Sequence, residues 1–150
     1  MSVAPHPRAG YSAGMYELFE HTADLGLRAT APDLDALFAE MAACLCAAIL
    51  EVPTSVRPTT AASIEIAGTD REFLLFDWLK ELLYRFDAEH QVFGRFEVRV
   101  RQDGLTATAW GEPFDAERHL LNHEVKAITY HELAVEPVEG GWRAEVIVDI

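Results

Sequence analysis

Apolar positions along the first half of the chain follow two spacings. Tyr16–Phe19 and Leu25–Ala31 read as strands on either side of a loop, EHTADLG. From Leu34 the spacing turns helical, with Leu34, Leu37, Phe38, Met41, Leu45 and Ile49 on one stripe. Pro32 and Asp33 open this helix, Asp33 as its N-cap. The stretch VPTSVRPTT ends it, and Ile64 and Ile66 alternate with Ser63 and Glu65 as another strand. Thr69 and Glu72 have the Thr-x-x-Glu form of a capping box. The helix that follows turns Leu75, Trp78, Leu79, Leu82, Leu83 and Phe86 inward, leaving Asp77, Lys80, Glu81 and Tyr84 as a solvated face.

The second half alternates in the period of strands. Phe96, Val98 and Val100 interleave with Arg95, Glu97, Arg99 and Arg101. Asp103-Gly104 is a hairpin signal that returns the chain through Leu105–Trp110. A loop, GEPFDAERHLLNH, leads to an expected strand across Lys126–His131, and Leu133–Glu136 extends the pairing. After EGG the final strand runs over Trp142–Ile150, with Trp142, Ala144, Val146, Val148 and Ile150 on one face. Arg143, Glu145, Ile147 and Asp149 take the other. The expected fold is a single α+β domain, two helices packed on a mostly antiparallel sheet of about eight strands.

Composition narrows the function. Half of the 150 residues are apolar, enough for one domain with a core. The net charge of −13 disfavours a nucleic-acid groove and favours bound cations or a basic protein partner. The opening MSVAPHPRAGYSAG reads as a disordered extension over residues 1–14, ahead of a domain over 15–150. It has no apolar signal-peptide core, and no run in the chain approaches the roughly 20 apolar residues of a membrane span. Cys44 and Cys46, two apart on a helix, point to different sides. Two free thiols suit a cytoplasmic location.

Three segments hold polar residues that a solvated surface does not explain: His21-Thr22-Ala23-Asp24, HEVKAITYH with Lys126 and His131, and Asp149 beside Ile150. Asp149 either simply points to water or joins Asp24 and the Ile150 oxygens as an all-oxygen donor set for a hard cation, with water or a partner completing the shell. His119 and His123 have a spacing that suits zinc on a helix, but the segment is short and reads as surface histidines. His21 near Asp24 has no obvious nucleophile beside it and reads as a hydrogen-bonded structural histidine. Walker, Gly-x-Ser-x-Gly and dinucleotide-binding motifs are absent.

Taken in order, YELFEHTADLGLRATAPDLDALFAEMA, LLFDWLKELLY, GEPFDAERHLLNHEVKAITYHEL and WRAEVIVDI resemble the archease family from about Met15 to the last residue. Leu25, where the family commonly has isoleucine, is a small departure. The resemblance implies a small α+β fold and a non-enzymatic accessory protein of the RtcB-type RNA ligase. Such a cofactor promotes guanylylation of the ligase by GTP and multiple turnover, in tRNA splicing or RNA repair. It also implies a divalent-cation site, calcium foremost and magnesium second, on Asp24, Asp149 and Ile150. Lys126 matches a polar position near that site, and His21 and His131 are candidates to support it or to meet the partner. No stable nucleic-acid or membrane contact is expected. Two other classes fit the same residues: a metal-dependent phosphoester hydrolase using His21 or His131 as base, and a metal-stabilised, chaperone-like interaction module.

Overall fold

The final strand is an interior strand of the larger of two sheets, paired on both edges. In the computed structural model, residues 6–7, 14–21 and 24–150 are described. The larger sheet contains β1 (His6–Pro7), β2 (Met15–His21), β3 (Asp24–Ala31), β7 (Ala127–Ile128), β8 (Ala134–Val138) and β9 (Gly141–Asp149). Its order is β1-β2-β3-β9-β7, with β8 also on β9, and every pair is antiparallel. The smaller sheet runs β4 (Thr60–Ala67), β6 (Gly104–Pro113), β5 (Gln91–Arg101), also antiparallel.

Helices α1 (Leu34–Ile49) and α2 (Arg71–Asp87) each pack against strands of both sheets. The α+β class and the two helices are as the sequence predicts. The strands divide between two sheets because alternation fixes which face a strand buries, not which strand it pairs with. Most of the expected N-terminal extension lies outside the described residues, apart from Gly14 and His6–Pro7; the latter pair with Met15 and Tyr16.

Helix α1 is buried almost all round. Leu37, Phe38, Met41 and Leu45 fill the predicted stripe, while Ala42, Cys44 and Ala48 on other sides are equally inaccessible. Small side chains there let strands of both sheets approach the helix axis. The Asp33 carboxylate accepts from the Ala36 N–H at 2.8 Å, as an N-cap does. Helix α2 is capped by Asp70 rather than Thr69: its Oδ1 accepts from Glu72 and Phe73 N–H at 2.9 and 3.1 Å. Trp78, fully buried, donates its indole N–H to the Phe38 carbonyl at 3.0 Å and meets Phe96 edge-on. One side chain thus ties α2 to α1 and β5, with its polar atom satisfied. Cys44 and Cys46 are buried thiols, and burial pushes the Cys44 thiol pKa far up.

The loop after β6 closes the end of α1. Asn122 and His123 backbone N–H groups donate to the Ile49 and Ala48 carbonyls at 2.8 and 2.9 Å, and Asn122 Nδ2 donates to Ala47. These are carbonyls that a helix C-terminus otherwise leaves without partners. The loop is anchored by Glu112, which is buried and accepts from the Arg57 N–H (2.8 Å), His119 Nε2 (2.9 Å) and Arg118 Nη2. Asp115 N–H donates to His119 Nδ1 at 2.9 Å, so the ring proton belongs on Nε2, where it donates to Glu112. His119 is therefore a core histidine, 1% exposed, and not a surface one. His123 serves through its backbone, and the helical spacing considered for zinc has no helix beneath it.

The Arg57 N–H, with His119 and Arg118 behind it, pulls the Glu112 carboxyl down to about 2 from an ordinary 4.5. Its contribution is complete above pH 4.5 and is lost as pH falls towards 2. Glu112→Gln should lower unfolding free energy by about 2 kcal/mol near neutrality. In urea titrations it should also lose less stability than the parent between pH 4.5 and 2. Parallel pH profiles would show that Glu112 is not the anchor.

Candidate functional site

The register of β2, β3 and β9 sets three rows across the face turned away from the helices. Glu17, Arg28 and Glu145 form the first, an ion-paired ladder with Arg28 bonded to both carboxylates. Phe19, Gly26 and Ile147 form the second. His21 pairs with Asp24, and one step beyond Leu25–Val148 the next facing positions are Asp24 and Asp149. The third row is therefore His21, Asp24, Asp149, with Ala127 of β7 beyond it. Residues some 130 positions apart in sequence are brought to one end of one sheet face.

Beside this row β7 and β8 follow the same edge of β9, interrupted. Ile128 faces Val148 and Ala134 faces Glu145, so six steps on one strand oppose three on the other. Thr129 continues the ladder through its N–H to the Ile147 carbonyl at 3.0 Å. The surplus, Tyr130-His131-Glu132, leaves the sheet as a bulge closed by Leu133 N–H to the Tyr130 carbonyl. The expected strand over Lys126–His131 is thus only Ala127–Ile128 long. Thr129 Oγ1 donates to the Ile147 carbonyl and accepts from His131 N–H, fixing the start of the bulge. Tyr130 stacks on Phe76 of α2 at 4.0 Å. Glu132 has φ 55°, a left-handed conformation that a residue with a Cβ adopts at a cost.

The bulge reaches back across β9 and β3. His131 lies 5.3 Å from His21 between ring centroids, and His21 Nε2 meets a Glu132 oxygen at 3.0 Å. The crossing covers Ile147, which is fully buried although it faces away from the helices. His21 is not the fully bonded histidine its sequence context suggests: its Nδ1 is buried without a hydrogen-bond partner among the described residues. Asp24 is half-buried, Asp149 exposed, and Ile150 half-buried against the core. Lys126 donates its N–H to the Asp149 carbonyl at 2.7 Å, which engages the main-chain oxygen of Asp149. The Lys126 side chain is exposed.

The fold thus gathers His21, Asp24, His131 and Asp149 with the adjoining Ile150. Glu132 joins them and was invisible in the sequence, where a loop glutamate has nothing to distinguish it.

The model of the Archease protein family (MTH1598/TM1083) matches residues 16–150. The chain belongs to the archease family. It is 41% identical over 140 residues to the archease of Pyrococcus furiosus, covering 90% of this chain and 98% of that protein. It is 38% identical, at the same coverage of this chain, to the archease of Sulfurisphaera tokodaii. The solution structure of protein 1598 of Methanobacterium thermoautotrophicum superposes with a TM-score of 0.74 at 34% identity, covering 90% of this chain and 98% of that one. The archease match thus includes the two strands, β3 and β9, and the bulge that build the site. Among the described residues no helix is long and apolar enough to cross a membrane.

Within this archease fold, Gly26 keeps the middle row thin. A Cβ there would lie 2.2 Å from Cζ of Phe19, whose ring carries the Arg28 guanidinium at 4.2 Å. Gly26→Ala should push the ring off and lower stability by about 1 kcal/mol in denaturant unfolding. Unchanged stability would mean that Phe19 does not brace the row beneath the site.

Proposed function

We propose that this archease is a protein cofactor of an RtcB-type RNA ligase and performs no bond chemistry of its own. The observation that carries the reading is the meeting of Asp24 and Asp149 in one row at the sheet end, within a chain of the archease family. The row holds oxygen donors and no serine or cysteine nucleophile among the described residues.

The donor set suits a hard cation. The carboxylates of Asp24 and Asp149 and the main-chain oxygens of Ile150 would hold it, calcium first and magnesium second. Three groups fall short of calcium's usual six to eight oxygens, which leaves positions for water or for a partner's groups. A bound cation would supply positive charge among carboxylates and a bridge to an anionic ligand.

The chain's own part is recognition. With a net charge of −13 it complements a basic, metal-bearing ligase site. A helper speeds guanylylation only by binding the competent ligase state better than the resting one. A tenfold shift needs about 1.4 kcal/mol of preference. The acidic row, exposed at Asp149 and rigidly registered by β3 and β9, is suited to supply that preference. Tenancy in the cytoplasm, alongside tRNA splicing or RNA repair, follows from this reading.

Single-turnover guanylylation of the cognate ligase with GTP should accelerate about tenfold or more when the protein is added, and Asp149→Asn should remove most of the gain. An unchanged rate with the parent protein would sink the proposal. Chelator-sensitive phosphoester hydrolysis by the protein alone would replace it with an enzyme. Calorimetry gives a second check on the site. Asp24→Asn should weaken calcium binding about tenfold or more relative to the parent chain, and equal affinities would remove Asp24 from the ligand set.

A further inference from the structure

We propose that His21, His131 and Glu132 form a second cation site, for a divalent transition metal of the zinc class, separate from the all-oxygen site beside it.

The three side chains converge from two distant elements, the end of β2 and the bulge between β7 and β8. Their ligating atoms all lie within 4.8 Å of one another. His21 Nε2 is 3.0 Å from one Glu132 oxygen, and His131 Nε2 is 4.0 Å from the other. Zinc bonds of 2.0–2.1 Å at tetrahedral angles separate ligand atoms by roughly 3.3 Å, between these two values. The adjustment falls on His131, whose side chain is 62% exposed and has room to turn.

Chemistry separates the two sites. Two imidazole nitrogens and one carboxylate suit zinc, copper, nickel or iron, whereas calcium and magnesium take oxygen. Three protein ligands with two of them solvent-facing leave a fourth position open, the arrangement of an exchangeable site rather than a closed structural one.

A plain ion pair accounts for less of what is seen. The His21–Glu132 pair, with His21 24% and Glu132 52% exposed, contributes on the order of 1 kcal/mol. That is no more than the cost of holding Glu132 left-handed, about 1–2 kcal/mol. Nor does a pair with Glu132 require His131 against the edge of His21. A site for three ligands accounts for the backbone conformation and for the second histidine together.

The test uses the full chain without a histidine tag, and its readout needs no ligase. Zinc chloride titrated by calorimetry should bind at one equivalent, and cobalt chloride should give the visible bands of a four-coordinate ion. His131→Ala and Glu132→Gln should each weaken zinc by about tenfold or more. Asp149→Asn should leave zinc within about threefold of the parent and weaken calcium instead. Because His131 and Glu132 are exposed, both variants should melt with the parent, and Glu132→Gln keeps the shape while removing the charge. Absence of zinc uptake by the parent chain overturns the site. Equal loss of zinc in Asp149→Asn and His131→Ala overturns its separateness. Failure of ligase stimulation leaves these titrations unaffected.

Discussion

The pairing of β9 on both its edges is the constraint from which the rest of the molecule follows. Ala144, Val146 and Val148 face the helices and are fully buried, while Glu145 and Asp149 face away. A slip of one residue against β3 would exchange these sets. Each buried valine contributes about 1.5–3 kcal/mol, so the slip is excluded by several kcal/mol from this strand alone. The same register that protects the core therefore sets Asp149 in the row of Asp24.

The other edge of β9 is where order is traded for chemistry. Three surplus residues leave the sheet, and they forgo ladder hydrogen bonds that regular strands would make. The loss is limited by local contacts: Thr129 bonds both ways, Leu133 closes on Tyr130, and Tyr130 stacks on a buried phenylalanine of α2. Helix α2 is itself pinned through Trp78 to α1. The bulge thus borrows its rigidity from the core at one remove, and it presents His131 and Glu132 over the sheet end with little freedom in their backbone.

Much of this could be read from the residues. Asp33, the Asp103-Gly104 turn and the period-2 runs of β5 and β9 act through neighbours in sequence, and they appear where local patterns put them. Alternation also placed Asp149 on the face away from the helices. Features that depend on partners far along the chain were not legible. The burial of His119 needs Glu112 on another element, and the division into two sheets needs the pairing itself. Glu132 becomes notable only because three residues too many were fitted between Ile128 and Ala134, a miscount visible solely against β9. The capping of α2 by Asp70 instead of Thr69 is a smaller case, since either side chain suits that end and one residue of chain direction decides.

Acidity is concentrated at this end of the sheet. In a chain of net charge −13, a row that sets two aspartates side by side adds repulsion at one point, with the Glu132 carboxylate beside it. On this face the Glu17 and Glu145 carboxylates two rows away share the Arg28 guanidinium, which offsets one of their two charges. The Asp24–Asp149 row has no arginine of its own, and Lys126 reaches Asp149 through its backbone N–H. A cation or basic partner that relieved this repulsion would bind the folded sheet end and not the unfolded chain, in which the carboxylates are far apart. Such binding stabilises the fold by mass action. It also couples the state of the site to the register of β9, because only the correct register brings the carboxylates together. Stability and recognition are in this way set by one strand.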